Sequence, residues 1–284
     1  MRLVQWTQSY FTRKGVDSPR LSAEVLLAHV LEYERVKLYT NFDEVVGGNC
    51  LASFRELVAA RGKGVPVKYL TGHAEFMSLD FLVTPDVLIP RPETELLVEK
   101  ALDLASSISQ PKIADIGTGC GNIAISVAIN LPTARIWATD VSEQALEVAA
   151  KNAELALAAD RVEFLCGDLY GPLQSLREVD RFDVICSNPP YVSESQWSAL
   201  SPEIRDHEPG IALKAGPDGL KYLVPLIDGA PRLLNPGGCL LLEIGENQAS
   251  AVTEAANRAG AFSAVDVLKD YSGNDRLLVA AGTG

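Results

Sequence analysis

With 284 residues, 47% hydrophobic and 22% charged, the chain can build one large domain or a small and a medium one, and no apolar run approaches a membrane span. The start Met1-Arg2-Leu3-Val4-Gln5-Trp6 has no signal-peptide core, so a cytoplasmic protein without a membrane partner is expected. The formal charge of −12 is uneven: residues 1–75 hold 10 Lys/Arg against 8 Asp/Glu, the remainder 15 against 29. An acidic second part argues against direct nucleic-acid binding, which rests on neutralising phosphates. The five cysteines, Cys50, Cys120, Cys166, Cys186 and Cys239, form no C-x-x-C pair and read as reduced thiols, with no metal expected.

Residues 1–75 are predicted to form a small helical domain. Leu3, Trp6, Tyr10 and Phe11 recur at helical spacing, and Arg13-Lys14-Gly15 supplies a basic last turn and a glycine stop. A second helix should open at Ser18-Pro19, serine as cap and proline in the first turn, and run through Leu21, Val25, Leu26 and His29. Shorter helices follow near 34–39 and 51–61. Without a cluster of catalytic groups, this domain is expected to dock a substrate, with a packing cap that only stabilises its neighbour as an equal alternative. Residues 76–90 alternate in apolar character around Thr84-Pro85-Asp86 and predict a β-hairpin linker. Pro90-Arg91-Pro92-Glu93-Thr94-Glu95 then opens a helix through Leu96, Leu97, Ala101 and Leu104; spacing alone gives Arg91, Glu93 and Glu95 no role.

From Lys112 strands and helices alternate. Strands are expected at 113–116, 135–139, 162–166, from Phe182, at 239–244, 264–268 and 276–280, with helices at 122–131, 143–157, 220–234 and 247–259. Such alternation predicts a parallel α/β sheet with helices on both faces, making residues 91–284 the catalytic domain.

Three successive strand ends carry ligand-binding residue types. Asp115-Ile116-Gly117-Thr118-Gly119-Cys120-Gly121 is a glycine turn between strand and helix, but Asn122 occupies the place of a dinucleotide fingerprint's third glycine. Asp140, 23 residues after Gly117, can accept from two ribose hydroxyls. After Gly167, Asp168 can accept from an adenine amino group, and Leu169 offers an apolar neighbour for its ring. An acidic site with no lysine in these turns suits a sulfonium better than a pyrophosphate, which points to S-adenosyl-L-methionine, with S-adenosyl-L-homocysteine as product.

The fourth strand runs into Ser187-Asn188-Pro189-Pro190-Tyr191, where two prolines must stop the ladder. Their fixed φ angles make a rigid rim of acceptors, the Asn188 side-chain oxygen and the Pro189 carbonyl, with the Tyr191 ring beside them. Such a rim can grip both hydrogens of a planar –NH2 and favour its pyramidal form in a transition state.

With these residues goes a resemblance to the HemK/PrmC family, the peptide chain release factor N(5)-glutamine methyltransferases. Its motifs span nearly the whole chain: Pro66-Val67-Lys68-Tyr69-Leu70-Thr71-Gly72, Leu88-Ile89-Pro90-Arg91-Pro92-Glu93-Thr94-Glu95, the glycine turn, Asn188-Pro189-Pro190-Tyr191-Val192, Glu208-Pro209, 216–220 and Glu243-Ile244-Gly245. The resemblance implies a Rossmann-like class I S-adenosylmethionine-dependent methyltransferase with an N-terminal helical domain. It implies donor contacts from Gly117 to Gly121, Asp140, Leu169 and Asn188, and a substrate glutamine held by Asn188 to Tyr191. That glutamine belongs to the Gly-Gly-Gln loop of release factors. Cys120 stands where serine or threonine is more usual, and Leu169 where some members carry an aromatic ring. Asn-Pro-Pro-Tyr is shared with adenine-amino methyltransferases of DNA and RNA, and a ribosomal-protein glutamine methyltransferase is a further alternative. A donor-sensing adaptor without turnover would keep the donor site alone.

Overall fold

A computed structural model describes residues 1–176 and 181–283. The chain divides into two compact units, Met1–His73 with Ser201–His207, and Ala74–Leu200 with Glu208–Gly284. The stretch Ser201–His207, expected to belong with 91–284, therefore completes the helical unit.

In the helical unit, α1 spans Arg2–Lys14, α2 Pro19–Val30, α3 Lys37–Thr40, α4 Gly48–Arg61 and α5 Val67–Thr71. Gly15 ends α1 at φ 70°, its N–H donating to Thr12 O and that of Val16 to Phe11 O, a closure that needs the left-handed region. The inward face keeps Phe11 and Leu26, with Leu3 and Tyr10 packed against them, but turns Trp6 and Leu21 outward. Val4, Thr7 and Phe11 are buried and Trp6 is exposed; on α2, Ala23, Leu26 and Leu27 are buried and Leu21 is exposed. The apolar residues offer two helical stripes, and packing selects the one that meets Phe54 and Val58 of α4. Ser18 occupies the N-cap position of α2 but its side chain makes no capping bond.

The hairpin is also displaced. Its strands are β1 His73–Phe76 and β2 Leu79–Leu82, and the turn is Met77-Ser78, at φ 51° and 58°. Two adjacent left-handed residues fit a two-residue hairpin turn, so Thr84-Pro85-Asp86 lies beyond it. Phe76 and Phe81 pack against Leu97 and Val98 of α6 (Glu95–Ala105). The Met77 N–H donates to Glu95 Oε1 at 2.8 Å, which gives Glu95 a task in holding the turn.

Seven strands follow: β3 Lys112–Ile116, β4 Arg135–Asp140, β5 Val162–Cys166, β6 Phe182–Ser187, β7 Leu234–Glu243, β8 Phe262–Lys269 and β9 Asp275–Gly282. Their order is β5-β4-β3-β6-β7-β9-β8. The pairs β5–β4, β4–β3, β3–β6 and β6–β7 are parallel as expected, but β9 runs antiparallel between β7 and β8, making the sheet mixed. Joined to β8 by a short connection, β9 can only return beside it as a hairpin partner. Helices α7 (Asn122–Asn130), α8 (Glu143–Leu155), α9 (Glu194–Trp197), α10 (Pro202–His207), α11 (Leu223–Gly229) and α12 (Ala249–Ala259) complete the chain.

Alternate residues of the central strands serve two cores. Ile113, Val184 and Leu241 pack with α6, α7 and the hairpin, while Ala114, Ile116, Ile185 and Leu240 pack with α11 and α12. Burial on both faces explains the nearly unbroken apolar runs of β3, β6 and β7. The register sets Ile116 beside both Thr139 and Ser187, and Asp140 beside Cys166, so the chain leaves four neighbouring strands along one edge. Strand order reverses between β3 and β6, where an open α/β sheet leaves a crevice for ligands.

Candidate functional site

A cavity of about 380 Å³ occupies that crevice. On one side is the glycine turn after β3, with Gly117, Gly119 and Gly121 all at positive φ (75°, 57° and 84°). The N–H groups of Gly117 and Thr118 both donate to Thr139 O, at 2.8 and 2.9 Å, binding the turn to the end of β4. A Cβ built at Gly117 or Gly119 would meet nothing within 4 Å, whereas at Gly121 it would stand 2.8 Å from Ile125 Cδ1 and 3.2 Å from Ala149 Cβ. The first two glycines thus keep the wall of the cavity bare, and the third lets α7 and α8 approach.

Asp115 supports this turn from beneath. Fully buried, it accepts from the Thr118 hydroxyl at 2.7 Å and from the Ala124 N–H at 3.2 Å through Oδ2, while Oδ1 has no partner among the described residues. Burial pushes its carboxyl up to about 7, against the pull of those two hydrogen bonds. Asn152 of α8 adds a second brace: its amide donates to Cys120 O and Leu82 O and accepts from the Leu82 N–H, tying the turn to β2.

Asp140 at the end of β4 accepts from the Gly119 N–H and the Ser142 N–H, each at 2.9 Å. Burial raises its pKa and these backbone donors lower it, so one carboxylate both shapes the glycine turn and faces the cavity. After β5, Asp168 is exposed on the wall and Leu169 takes φ 47°, its carbonyl accepting from the Thr139 hydroxyl at 3.3 Å.

After β6, Asn188, Pro189 and Pro190 line the same cavity. The Asn188 Nδ2 donates to Thr94 Oγ1 at 3.1 Å; the Thr94 hydroxyl donates to Glu243 Oε2 at 2.6 Å; and the Tyr191 hydroxyl donates to Glu243 Oε1 at 3.1 Å. Glu243, at the end of β7, is 1% exposed; burial raises its pKa, opposed by Thr94, Arg276 and Tyr191.

The cavity thus joins Gly117, Thr118, Gly119, Cys120, Asp140, Asp168, Leu169, Asn188, Pro189 and Pro190. Asp115, Gly121 and Tyr191 stand behind its wall: Asp115 and Gly121 shape the turn, and the hydroxyl of the Tyr191 ring expected on the rim is bonded to Glu243. Nor is the site without basic groups. Arg91 and Lys221 both line it, Arg91 paired with the buried Glu208 at 2.6 Å and Lys221 bonded to the Tyr222 hydroxyl at 3.0 Å, a contact that raises the pKa of its ammonium, with Asp168 adding to the rise. These two, with Thr94 and Glu243, are the residues that sequence reasoning passed over. They sat in the quoted motifs 88–95, 216–220 and 243–245 or next to them, but nothing local gave them a role.

The description "PrmC N-terminal domain" matches residues 2–72 and "Methyltransferase small domain" residues 92–203. A release factor glutamine methyltransferase of Rhodopirellula baltica is 42% identical over 282 residues, covering 98% of this chain and 94% of its own. One of Moorella thermoacetica is 45% identical over 266 residues, covering 94% and 92% respectively. Among solved structures, a methyltransferase from Pyrococcus furiosus superposes with a TM-score of 0.50 at 21% identity, over 84% of this chain and 100% of that one, a likeness of fold.

Proposed function

This chain belongs to the family of release factor glutamine methyltransferases, and from that premise we propose that it binds S-adenosyl-L-methionine in the cavity at the ends of β3 to β6 and methylates the Gly-Gly-Gln glutamine of peptide chain release factors. The observation that carries the proposal is that Asn188 and Pro189 share one cavity with the glycine turn, Asp140 and Asp168. A methyl acceptor and an adenosine-bearing donor then meet in one space.

The residues fit that donor. Gly117 and Gly119 leave room for a ligand against the backbone, Asp140 and Asp168 are acceptors for ribose and adenine, and Leu169 with Val141 and Ile123 supplies apolar wall. Arg91 and Lys221 are already engaged with Glu208 and Tyr222, so no basic cradle is prepared for a pyrophosphate. S-Adenosylmethionine supplies an electrophilic methyl group on a sulfonium and leaves as S-adenosyl-L-homocysteine.

The protein's own part is to make an amide nitrogen nucleophilic. Asn188 Oδ1 and the Pro189 carbonyl accept its two hydrogens and favour the pyramidal geometry in which its lone pair is available. That pair forms the new N–C bond, the S–C bond pair stays on sulfur, and the acidified nitrogen releases one proton to water. No dedicated general base is needed. Pro190 stiffens the rim and Tyr191 anchors it through Glu243. The helical unit is assigned to docking, since it is slightly basic and exposes Trp6, Phe42 and Val45.

Incubation with labelled S-adenosylmethionine and an intact release factor, followed by peptide mapping, tests this. Label is expected on the Gly-Gly-Gln glutamine, with none on DNA, RNA or ribosomal protein. Asn188→Ala should lower turnover about 100-fold or more with S-adenosylmethionine affinity largely kept. Label on nucleic acid, or wild-type turnover in the variant, would overturn the reading.

A further inference from the structure

A carboxamide is nearly symmetrical in shape and opposite in chemistry at its two ends. If the Asn188 amide turned over, it would present NH2 to a substrate that itself brings N–H groups, donor against donor. Something must decide which end faces the cavity.

The hydrogen-bond chain behind Asn188 has a direction. A carboxylate only accepts, so Glu243 takes the single proton of Thr94 on one oxygen and that of Tyr191 on the other. With its proton committed, the Thr94 oxygen can only accept from its other neighbour, and that neighbour is Asn188 Nδ2. Thr94 is 1% exposed and Glu243 is 1% exposed, so water cannot readily supply the opposite sense. Burial raises the Glu243 pKa, and the Thr94 hydroxyl, Arg276 and the Tyr191 hydroxyl oppose that rise; with a hydroxyl donor on each oxygen, the group is held as an acceptor on both sides.

We infer that Thr94 and Glu243 are positioning residues, which lock the Asn188 amide with its nitrogen turned inward and its oxygen left for the substrate. The inference rests on the proposed function, in which Asn188 accepts a hydrogen from the substrate amide. It gives the segment 92–94 a purpose that its place at the start of α6 does not reveal: a residue far from Asn188 in sequence sets the polarity of the acceptor rim.

The test is a cycle in the full-length protein: Thr94→Val, Thr94→Ser, Asn188→Ala and the double variant, measuring kcat, KM for the release factor and S-adenosylmethionine affinity. Thr94→Val removes the acceptor at constant shape and should lower kcat about 10–100-fold while donor affinity holds. Thr94→Ser should recover most of the loss. The double variant should be no slower than Asn188→Ala, because Thr94 acts through Asn188. Wild-type kcat in Thr94→Val, or losses that multiply in the double variant, would overturn the inference while a slow Asn188→Ala left the proposed function standing. Wild-type turnover in Asn188→Ala would instead remove that function and the inference with it. Should Thr94→Val not fold, Glu243→Leu decides: it removes the acceptor that fixes the Thr94 proton, so Thr94 is free to donate to Asn188 and turn its amide over; a loss of kcat with donor binding intact is expected, and an unchanged kcat refutes the lock.

Discussion

Alanine at Gly121 and at Gly119 would perturb one turn in two different ways. Both residues sit at positive φ, 84° and 57°, so each variant carries the left-handed penalty of about 1–2 kcal/mol. Each also loses freedom in the unfolded chain, which offsets about 0.4–1 kcal/mol of that. The environments then separate them. At Gly121 the new methyl would stand 2.8 Å from Ile125 Cδ1 and 3.2 Å from Ala149 Cβ, an overpacking of α7 against α8 that costs about 1–3 kcal/mol more. At Gly119, which lines the cavity, it would meet nothing within 4 Å and would take up space that the proposed donor needs. Gly121→Ala should therefore lose roughly 1–4.6 kcal/mol of stability, and Gly119→Ala roughly 0–1.6 kcal/mol. Donor affinity should show the reverse order, falling about tenfold or more in Gly119→Ala and little in a folded Gly121→Ala. Urea unfolding and calorimetric titration with S-adenosylmethionine measure the two quantities. Equal stability losses, or a larger affinity loss in Gly121→Ala, would refute the division of labour within the turn.

Asp140→Ala should weaken S-adenosylmethionine binding by roughly 1.5–3 kcal/mol, since hydrogen bonds to a charged group are lost. It should also lower stability, because the Gly119 and Ser142 N–H groups lose their acceptor; an unchanged calorimetric Kd would remove Asp140 from the donor site. Joint Phe42→Ser and Val45→Ser substitution on the helical unit should raise KM for an intact release factor roughly fivefold or more and leave methylation of a short Gly-Gly-Gln peptide unchanged. Parallel loss on both substrates would dismiss docking through those residues.

What the sequence made legible was chemistry carried by residue type and by position at a strand end. A Pro-Pro step must stop β6, glycines mark the turn after β3, and an acid ends β4; these features are local. Pairings across long separations were not readable. Thr94 and Glu243 lie 149 residues apart and meet only because α6 begins beside the end of β7. The hairpin turn escaped notice because Met77 and Ser78 are ordinary residues in a backbone region that glycine or asparagine normally advertises. The antiparallel β9 was hidden for another reason: periodicity reports that a strand is buried, not which neighbour it chooses or in what sense. On α1 and α2 the apolar residues allowed more than one inward face, and only the packing of the two helices on each other and of α2 on α4 resolved it.

The return of Ser201–His207 to the helical unit bears on how the protein is born. Arg61, on α4, is buried, and its Nη1 is held by Val65 O at 3.0 Å and by Glu203 at 2.7 Å. The carboxylate that answers this charge lies 142 positions later in the chain. At about 5–20 residues per second, a ribosome needs roughly 7–28 s to progress from one to the other. During that interval the core of Phe11, Leu26 and Phe54 can pack while the Arg61 guanidinium still lacks this carboxylate, so the helical unit gains its last ion pair only after β3 to β6 have been synthesised.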